Sequence, residues 1–211
     1  MMNKKAQFFP LGDDNKSSTL PFITWALIGI NILVFLWSLS DFDNIINTLG
    51  FTPLQFSFFT MFTSMFLHGS IQHILGNMWF LFIFGDNVED RLGHWAYLVF
   101  YLAAGVAASI SHFILNMSSS VPAVGASGAI SGVLGAYLVF FPNADVYVSG
   151  NYGHAGKVKA IFMLGLWFIF QLISGSMALF GAESGIAFFA HVGGFVFGVV
   201  TAFIIKKAKP A

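Results

Sequence analysis

The chain has 211 residues, of which 57% are hydrophobic and only 9% charged, with formal net charge zero at pH 7. A soluble domain carries about 25% charged residues, so this composition, with a mean hydropathy of +0.80, excludes a soluble globular protein and predicts a polytopic membrane protein. The neutral balance gives no reason to expect nucleic acid as a partner, and the lack of cysteine rules out disulfides, thiolate nucleophiles and cysteine metal sites.

Met1–Thr19 is polar and mixed in charge apart from a short Phe8–Leu11 patch, and reads as a tail rather than a cleavable signal peptide. Pro21–Ser38 is the first expected span, with Pro21 at a tolerated helix start and Asn31 as its one markedly polar residue. Asp41–Thr52 reads as a loop. Phe56–Leu67 is aromatic but broken by Ser57, Thr60, Thr63 and Ser64, which predicts an interfacial or partly inserted segment. Ile71–Phe84 is the second span, followed by an expected tight charged turn over Gly85–Gly93. Trp95–Leu115 is the third span and Ala126–Phe141 the fourth. Pro142–Gly156, rich in Gly, Asn and Tyr, reads as a long loop. The fifth span is led by Lys159–Ile173 and ends near Phe180; Gly181–Gly185 turns the chain into the sixth, Ile186–Ile205. The expected organisation is a cytoplasmic tail over 1–20, a six-helix all-α membrane domain over 21–205 and a second cytoplasmic tail over 206–211.

Charge supports that span count. All 9 Lys and Arg residues (Lys4, Lys5, Lys16, Arg91, Lys157, Lys159, Lys206, Lys207, Lys209) fall on the side that holds both termini. The opposite side carries Asp41, Asp43 and Glu183. By the positive-inside rule both termini are expected in the cytoplasm.

Polar residues then acquire a depth. His73 and Asn77 lie near the outer start of the second span, Ser127 at the outer start of the fourth and His191 a little way into the sixth. At about 1.5 Å per residue, His191 lies roughly 8–10 Å below the outer boundary. The fourth run, about 15 residues against the roughly 20 needed to cross, starts deep enough to bring Ser127 to the same layer. A serine beside a histidine there is the minimal general-base arrangement for nucleophilic attack. No Asp or Glu lies in the fourth or sixth span, so the expected unit is a dyad rather than a triad. The Ser127 backbone N–H, the Asn77 amide and the His73 ring are candidates for stabilising an oxyanion. Gly128 and Gly132 on one helix, and Gly194 and Gly198 on the other, would let two backbones approach closely. Taken singly, Ser127 is also what a helix N-cap looks like, and each of the histidines could be a packing residue.

Taken together, these motifs resemble the rhomboid intramembrane serine protease family of the six-helix bacterial type, over nearly everything from Pro21 to Ile205. Gly125-Ala-Ser127-Gly128 matches the family's nucleophile motif, and His191 in Ala190-His191-Val-Gly-Gly194 matches its base. His73-Ile-Leu-Gly-Asn77 matches its oxyanion-stabilising pair, His68 matches a further histidine near the site, and Gly85–Gly93 resembles a family turn in which Glu89 and Arg91 are structural. The resemblance implies peptide hydrolysis in or near transmembrane helices of membrane proteins, with helices of relaxed stability and small residues at the cut, in the cell inner (plasma) membrane with the site open to the outer face. It implies single-pass or other transmembrane proteins as substrates and membrane lipid as surroundings, with no cofactor, no metal and no nucleic acid. It also implies lateral access between the second and fifth helices. Some members place an aromatic residue one turn after the serine to stack on the base; here that position is Ser131, and no other aromatic residue is marked by sequence to replace it. The runner-up is a catalytically inactive rhomboid-like protein that binds membrane clients, which would be expected to lack the serine or the histidine. A zinc protease would need His-Glu-x-x-His and an aspartyl one two membrane aspartates, and neither is present.

Overall fold

Three of the helices, His94–Leu115, Ala160–Met177 and Phe188–Ala208, are long and apolar enough to cross a bilayer. They belong to a computed structural model that describes residues 9–149, 155–179 and 186–208. Lys4, Lys5, Phe8, Phe180, the expected Gly181–Gly185 turn with Glu183, and Lys209 lie outside the described residues. The described helices are α1 (Phe22–Ser38), α2 (Phe42–Leu49), α3 (Phe58–Thr63), α4 (Ile71–Leu92), α5 (His94–Leu115), α6 (Ser127–Phe140), α7 (Ala160–Leu179) and α8 (Phe188–Ala208). The six longer ones correspond in position to the six expected spans, and the fold is a helical membrane bundle.

α6 is the centre of that bundle, with ten of its residues, Gly128 through Tyr137, buried in succession. A helix apolar and small all round its surface has no face to give to solvent or lipid, and here α4, α5 and α8 cover it. The outer helices instead turn large apolar side chains outward, among them Leu33 and Leu36 of α1, Val99 of α5 and Phe162 and Leu166 of α7. In lipid that exposure carries no hydrophobic penalty. Asn31 is buried and returns its amide to its own helix, donating to the Leu27 carbonyl at 2.7 Å.

The segment between α1 and α4 departs from the expected loop. Phe42–Leu49 is a helix, and α3 lies between short 3-10 turns at Pro53–Gln55 and Ser64–Phe66. The Thr63 hydroxyl donates to the Leu49 carbonyl at 2.6 Å and links the two. Phe56, Phe58, Phe59 and Phe62 are exposed on this stretch, as an interfacial segment would have them.

α4 also outruns its expectation. The charged stretch is not a tight turn: the helix continues for 22 residues to Leu92, and the chain reverses only at Gly93, whose φ of 82° is readily adopted by glycine. The reason is long-range. Glu89 is fully buried and its carboxylate accepts from the Ile23 N–H at 3.0 Å, the Thr24 N–H at 2.7 Å and the Thr24 hydroxyl at 2.7 Å. Those are first-turn groups of α1, which have no partner within their own helix. Beside it, Asp90 accepts from the backbone and hydroxyl of both Ser18 and Thr19. The last turns of α4 thus receive the start of α1, and Arg91 lies 5.7 Å from the centre of the Phe140 ring.

A small antiparallel sheet, ordered β1-β2-β3, is a further difference: β1 (Pro10–Asp13), β2 (Asp145–Ser149) and β3 (Ala155–Lys159). It draws one strand from the expected tail and one from the expected Pro142–Gly156 loop, while the third runs from the end of that loop through Lys159, the expected start of the fifth span; Tyr147 lies opposite Lys157 and Gly12 opposite Tyr147. Alternation of Val146 and Val148 inward explains β2. Lys159 pairs with Asp145 at 2.5 Å, which holds the Asp145 carboxyl below its usual range. β1 is fastened to the bundle by Trp79, whose indole N–H donates to the Pro10 carbonyl at 2.7 Å, and by Asp13, which accepts from the Tyr137 hydroxyl near the far end of α6.

Candidate active site

The N-termini of α4, α6 and α8 open onto one cavity of about 280 Å³. Its lining includes His73 and Asn77 from α4, Ser127 from α6, Trp167 and Gln171 from α7 and His191 from α8. Each helix presents first-turn N–H groups and the positive end of its dipole at this level, where a developing negative charge would be favoured.

Ser127 is the first residue of α6 and half-buried. His191 lies in the first turn of α8, and its Nε2 is 2.7 Å from the Ser127 Oγ. The closeness of the two helices follows from their glycines. A Cβ on Gly194 would collide with the Gly128 carbonyl, and one on Gly198 with the Gly132 carbonyl. On the opposite side of α6, Gly128 and Gly132 face the methyls of Ala108 and Ala104 on α5. Small residues on three helices therefore set the serine–histidine separation.

Gly125 shapes the approach to Ser127. Its φ is 126°, in the left-handed region, and its N–H donates to the Ser64 carbonyl at 2.9 Å. A Cβ there would come within 2.7 Å of the His73 ring and 3.5 Å of the Asn77 amide nitrogen, so glycine at this position lets the loop pass close to that ring. His73 is set by the start of α4, where the Ser70 hydroxyl accepts from the His73 N–H at 3.1 Å. Asn77 follows one turn later on the same face, with its amide nitrogen buried and no protein partner. His68 is fully buried against the His73 ring at 5.1 Å, and neither of its ring nitrogens has a protein partner. Glu89 and Arg91 lie at the other end of α4, away from the cavity.

Two residues of this site were not marked by sequence reasoning, and both come from α7. Gln171, buried, has its Oε1 2.9 Å from the His191 Nδ1. Trp167 sits one turn earlier, its ring 6.1 Å from the imidazole and tilted by 32°. An aromatic residue thus does lie beside the histidine, supplied by a different helix from the one expected. At the expected position, Ser131 turns inward and donates to the Ser127 carbonyl at 2.6 Å. The available signal was Gln171 itself, the one side-chain amide in the apolar run Ala160–Leu179. Among the described residues, no group of three His, Cys, Asp or Glu side chains is placed to hold a metal ion.

Residues 55–208 match the family description "Rhomboid domain". The chain is 28% identical over 207 residues to "Rhomboid protein 1, mitochondrial" of Saccharomyces cerevisiae, covering 88% of this chain and 54% of that protein. It is 32% identical over 156 residues to "Rhomboid protease GluP" of Bacillus subtilis, covering 74% of this chain and 27% of the relative. To "Presenilin-associated rhomboid-like protein, mitochondrial" of Mus musculus it is 29% identical over 151 residues, with 66% and 36% covered. The chain therefore spans about half or less of the length of these relatives. The family match takes in α4 through α8, the helices that build the cavity, and this multi-pass membrane chain belongs to the rhomboid family.

Proposed function

We propose that the chain is an intramembrane serine endopeptidase in which Ser127 is the nucleophile and His191 the general base. The observation that carries this reading is the 2.7 Å contact between the Ser127 Oγ and the His191 Nε2 within the cavity. With Nε2 unprotonated, His191 takes the hydroxyl proton as the Ser127 Oγ attacks a peptide carbonyl carbon. Negative charge gathers on the carbonyl oxygen. The Ser127 backbone N–H at the start of α6, the partnerless Asn77 amide and the His73 ring are its stabilising groups. Collapse of the tetrahedral species expels the amine, which receives the proton from His191, and leaves an acyl ester on Ser127. Water deprotonated by His191 then hydrolyses that ester by the same route.

Hydrolysis inside a membrane protein requires water at the site, and the polar side chains of His73, Asn77, Ser127, Gln171 and His191 on an otherwise largely apolar cavity wall support that requirement. The cavity lies between α4, through Gln72, Gly76 and Phe80, and α7, through Trp167 and Gln171. This supports lateral access of a transmembrane substrate between those two helices. Such a substrate must unwind locally, because a helical backbone keeps its carbonyls bonded; helices of relaxed stability with small residues at the cut meet that demand. The segregation of Lys and Arg supports an inner (plasma) membrane orientation with both termini cytoplasmic and the cavity facing out.

The test is cleavage of a transmembrane substrate by the purified full chain, with Ser127→Ala and His191→Ala beside it. Both variants should lose turnover and fluorophosphonate labelling while keeping the helical circular dichroism of the parent. Turnover retained by Ser127→Ala would remove the protease reading and favour a non-catalytic, client-binding rhomboid.

A further inference from the structure

His191 has two nitrogens, and the serine contact accounts for one. For Nε2 to accept the Ser127 proton, the hydrogen of the neutral ring must reside on Nδ1. A neutral imidazole left to itself exchanges between the two tautomers, and the other one presents an N–H to the serine and cannot act as base. The group facing Nδ1 is the Gln171 Oε1 at 2.9 Å, an acceptor that fits only the productive tautomer. Building on the serine-protease reading above, we propose that Gln171 is a positioning residue for His191, fixing the tautomer and plane of the ring and retaining an acceptor for Nδ1–H when the ring becomes imidazolium.

Several features favour this role over simple helix–helix adhesion. Gln171 is buried at the cavity wall, so its amide is not shared with bulk water. It lies one turn from Trp167, and residues four apart share a face; α7 therefore presents a ring beside the imidazole and an acceptor to its edge together. Trp167 is itself seated against Phe195 at 5.9 Å, and the neighbouring Phe168 stacks on Phe195 at 4.6 Å, which locks that part of α7 onto α8 one turn beyond His191. A carboxylate at this depth would carry a large desolvation cost unless paired. A neutral amide orients the ring without that cost, and gives a third member where the spans of α6 and α8 offer no acid. The ionisable side chains whose charge reaches His191 are His73 on α4 and His112 on α5; α6 offers Ser127, and α7 Gln171.

The experiment compares Gln171→Leu and Gln171→Glu with the parent chain in detergent, measuring kcat and KM on a transmembrane substrate across pH, and the ¹⁵N spectrum of the labelled imidazoles. Gln171→Leu should lower kcat by about 10- to 100-fold with KM little changed. That is less than the roughly 10⁴-fold loss when an aspartate partner of a catalytic histidine is replaced by its amide, because a neutral acceptor stabilises imidazolium less. Its His191 signal should move from Nδ1-protonated to a mixture of tautomers. Gln171→Glu keeps an acceptor and should keep the Nδ1–H tautomer, while its added negative charge raises the acid limb of the kcat/KM profile by about one pH unit or more. Unchanged kcat and an unchanged tautomer in Gln171→Leu would overturn the proposal and leave Gln171 as a tie between α7 and α8. If Gln171→Leu fails to fold, Gln171→Glu decides: an acid limb in the parent position overturns the proposal. Should Ser127→Ala retain turnover, the protease reading falls, yet the tautomer comparison still reports whether Gln171 orders the ring.

Discussion

Gly194 on α8 rests against the carbonyl of Gly128 on α6, with no room for a Cβ between them. One turn later Gly198 meets the Gly132 carbonyl in the same way. Because Ser127 immediately precedes Gly128 and His191 lies one turn before Gly194, this contact fixes the distance between the two side chains. Gly194→Leu should force α6 and α8 apart by more than an ångström. A displacement of that size costs on the order of 100-fold in rate, and we expect at least that loss of substrate cleavage. Measured turnover within a few-fold of the parent would show that the helices can accommodate the side chain without moving the dyad.

Asn77 offers a cleaner separation of chemistry from folding, since its amide nitrogen has no protein partner to lose. Asn77→Ala should raise the barrier by about 2–4 kcal/mol at most, the range for removing one oxyanion donor. Fluorophosphonate labelling should be largely retained and the thermal midpoint little changed. A drop in midpoint together with loss of labelling would make Asn77 a structural residue instead.

At the other end of α4, Glu89 carries the stability rather than the chemistry. Glu89→Ala would strand the first-turn N–H groups of Ile23 and Thr24 and leave the His94 Nδ1, now 2.6 Å from the carboxylate, without that partner. Breaking a buried charged network of this kind costs on the order of 3–5 kcal/mol. The expected outcome is a markedly lower thermal midpoint in detergent, with α1 the first helix to gain hydrogen exchange. Glu89→Gln, which keeps one acceptor oxygen, should recover part of the loss. A midpoint unaffected in Glu89→Ala would contradict this account.

Asp13 gives the β1 attachment a dependence on pH. Burial pushes its carboxyl up to about 6, against the Tyr137 hydroxyl bond, which acts to lower it. A carboxyl raised above its unfolded value of 3.8 favours the folded state most when protonated. Its contribution is therefore full below about pH 4 and is lost as pH rises through about 6. Asp13 is partly exposed, so the effect is screened and should amount to about 1 kcal/mol or less. Hydrogen exchange of β1 amides should speed up over that interval in the parent, after correction for the intrinsic rate, and Asp13→Asn should flatten the change. A parent profile without a step between pH 4 and 6 would disprove it.

The membrane class, the position of each longer helix and the chain order of Asn77, Ser127 and His191 were legible in the sequence, because hydropathy and short motifs are local properties. Helix ends and contacts between distant segments were not. The charges of Gly85–Gly93 read as a turn, yet Glu89 is satisfied by the start of α1, a partner that only the folded bundle brings near, and the helix continues. Pro10–Asp13 reads as part of a tail, yet β2 gives it a strand to pair with across more than half the chain. The same holds at the site. Nothing within α7 says that Trp167 and Gln171 face a histidine, since an aromatic residue and an amide one turn apart also suit lipid or a neighbouring helix. Their meeting with His191 depends on how α7 is rotated and seated on α8, which is decided by packing against Phe195 and by glycines on other helices. Composition and periodicity determined which segments enter the membrane; the pairing of buried polar groups across helices, such as Glu89 with the start of α1 and Gln171 with His191, was decided only by the tertiary structure, because an unpaired polar group is costly once water is excluded.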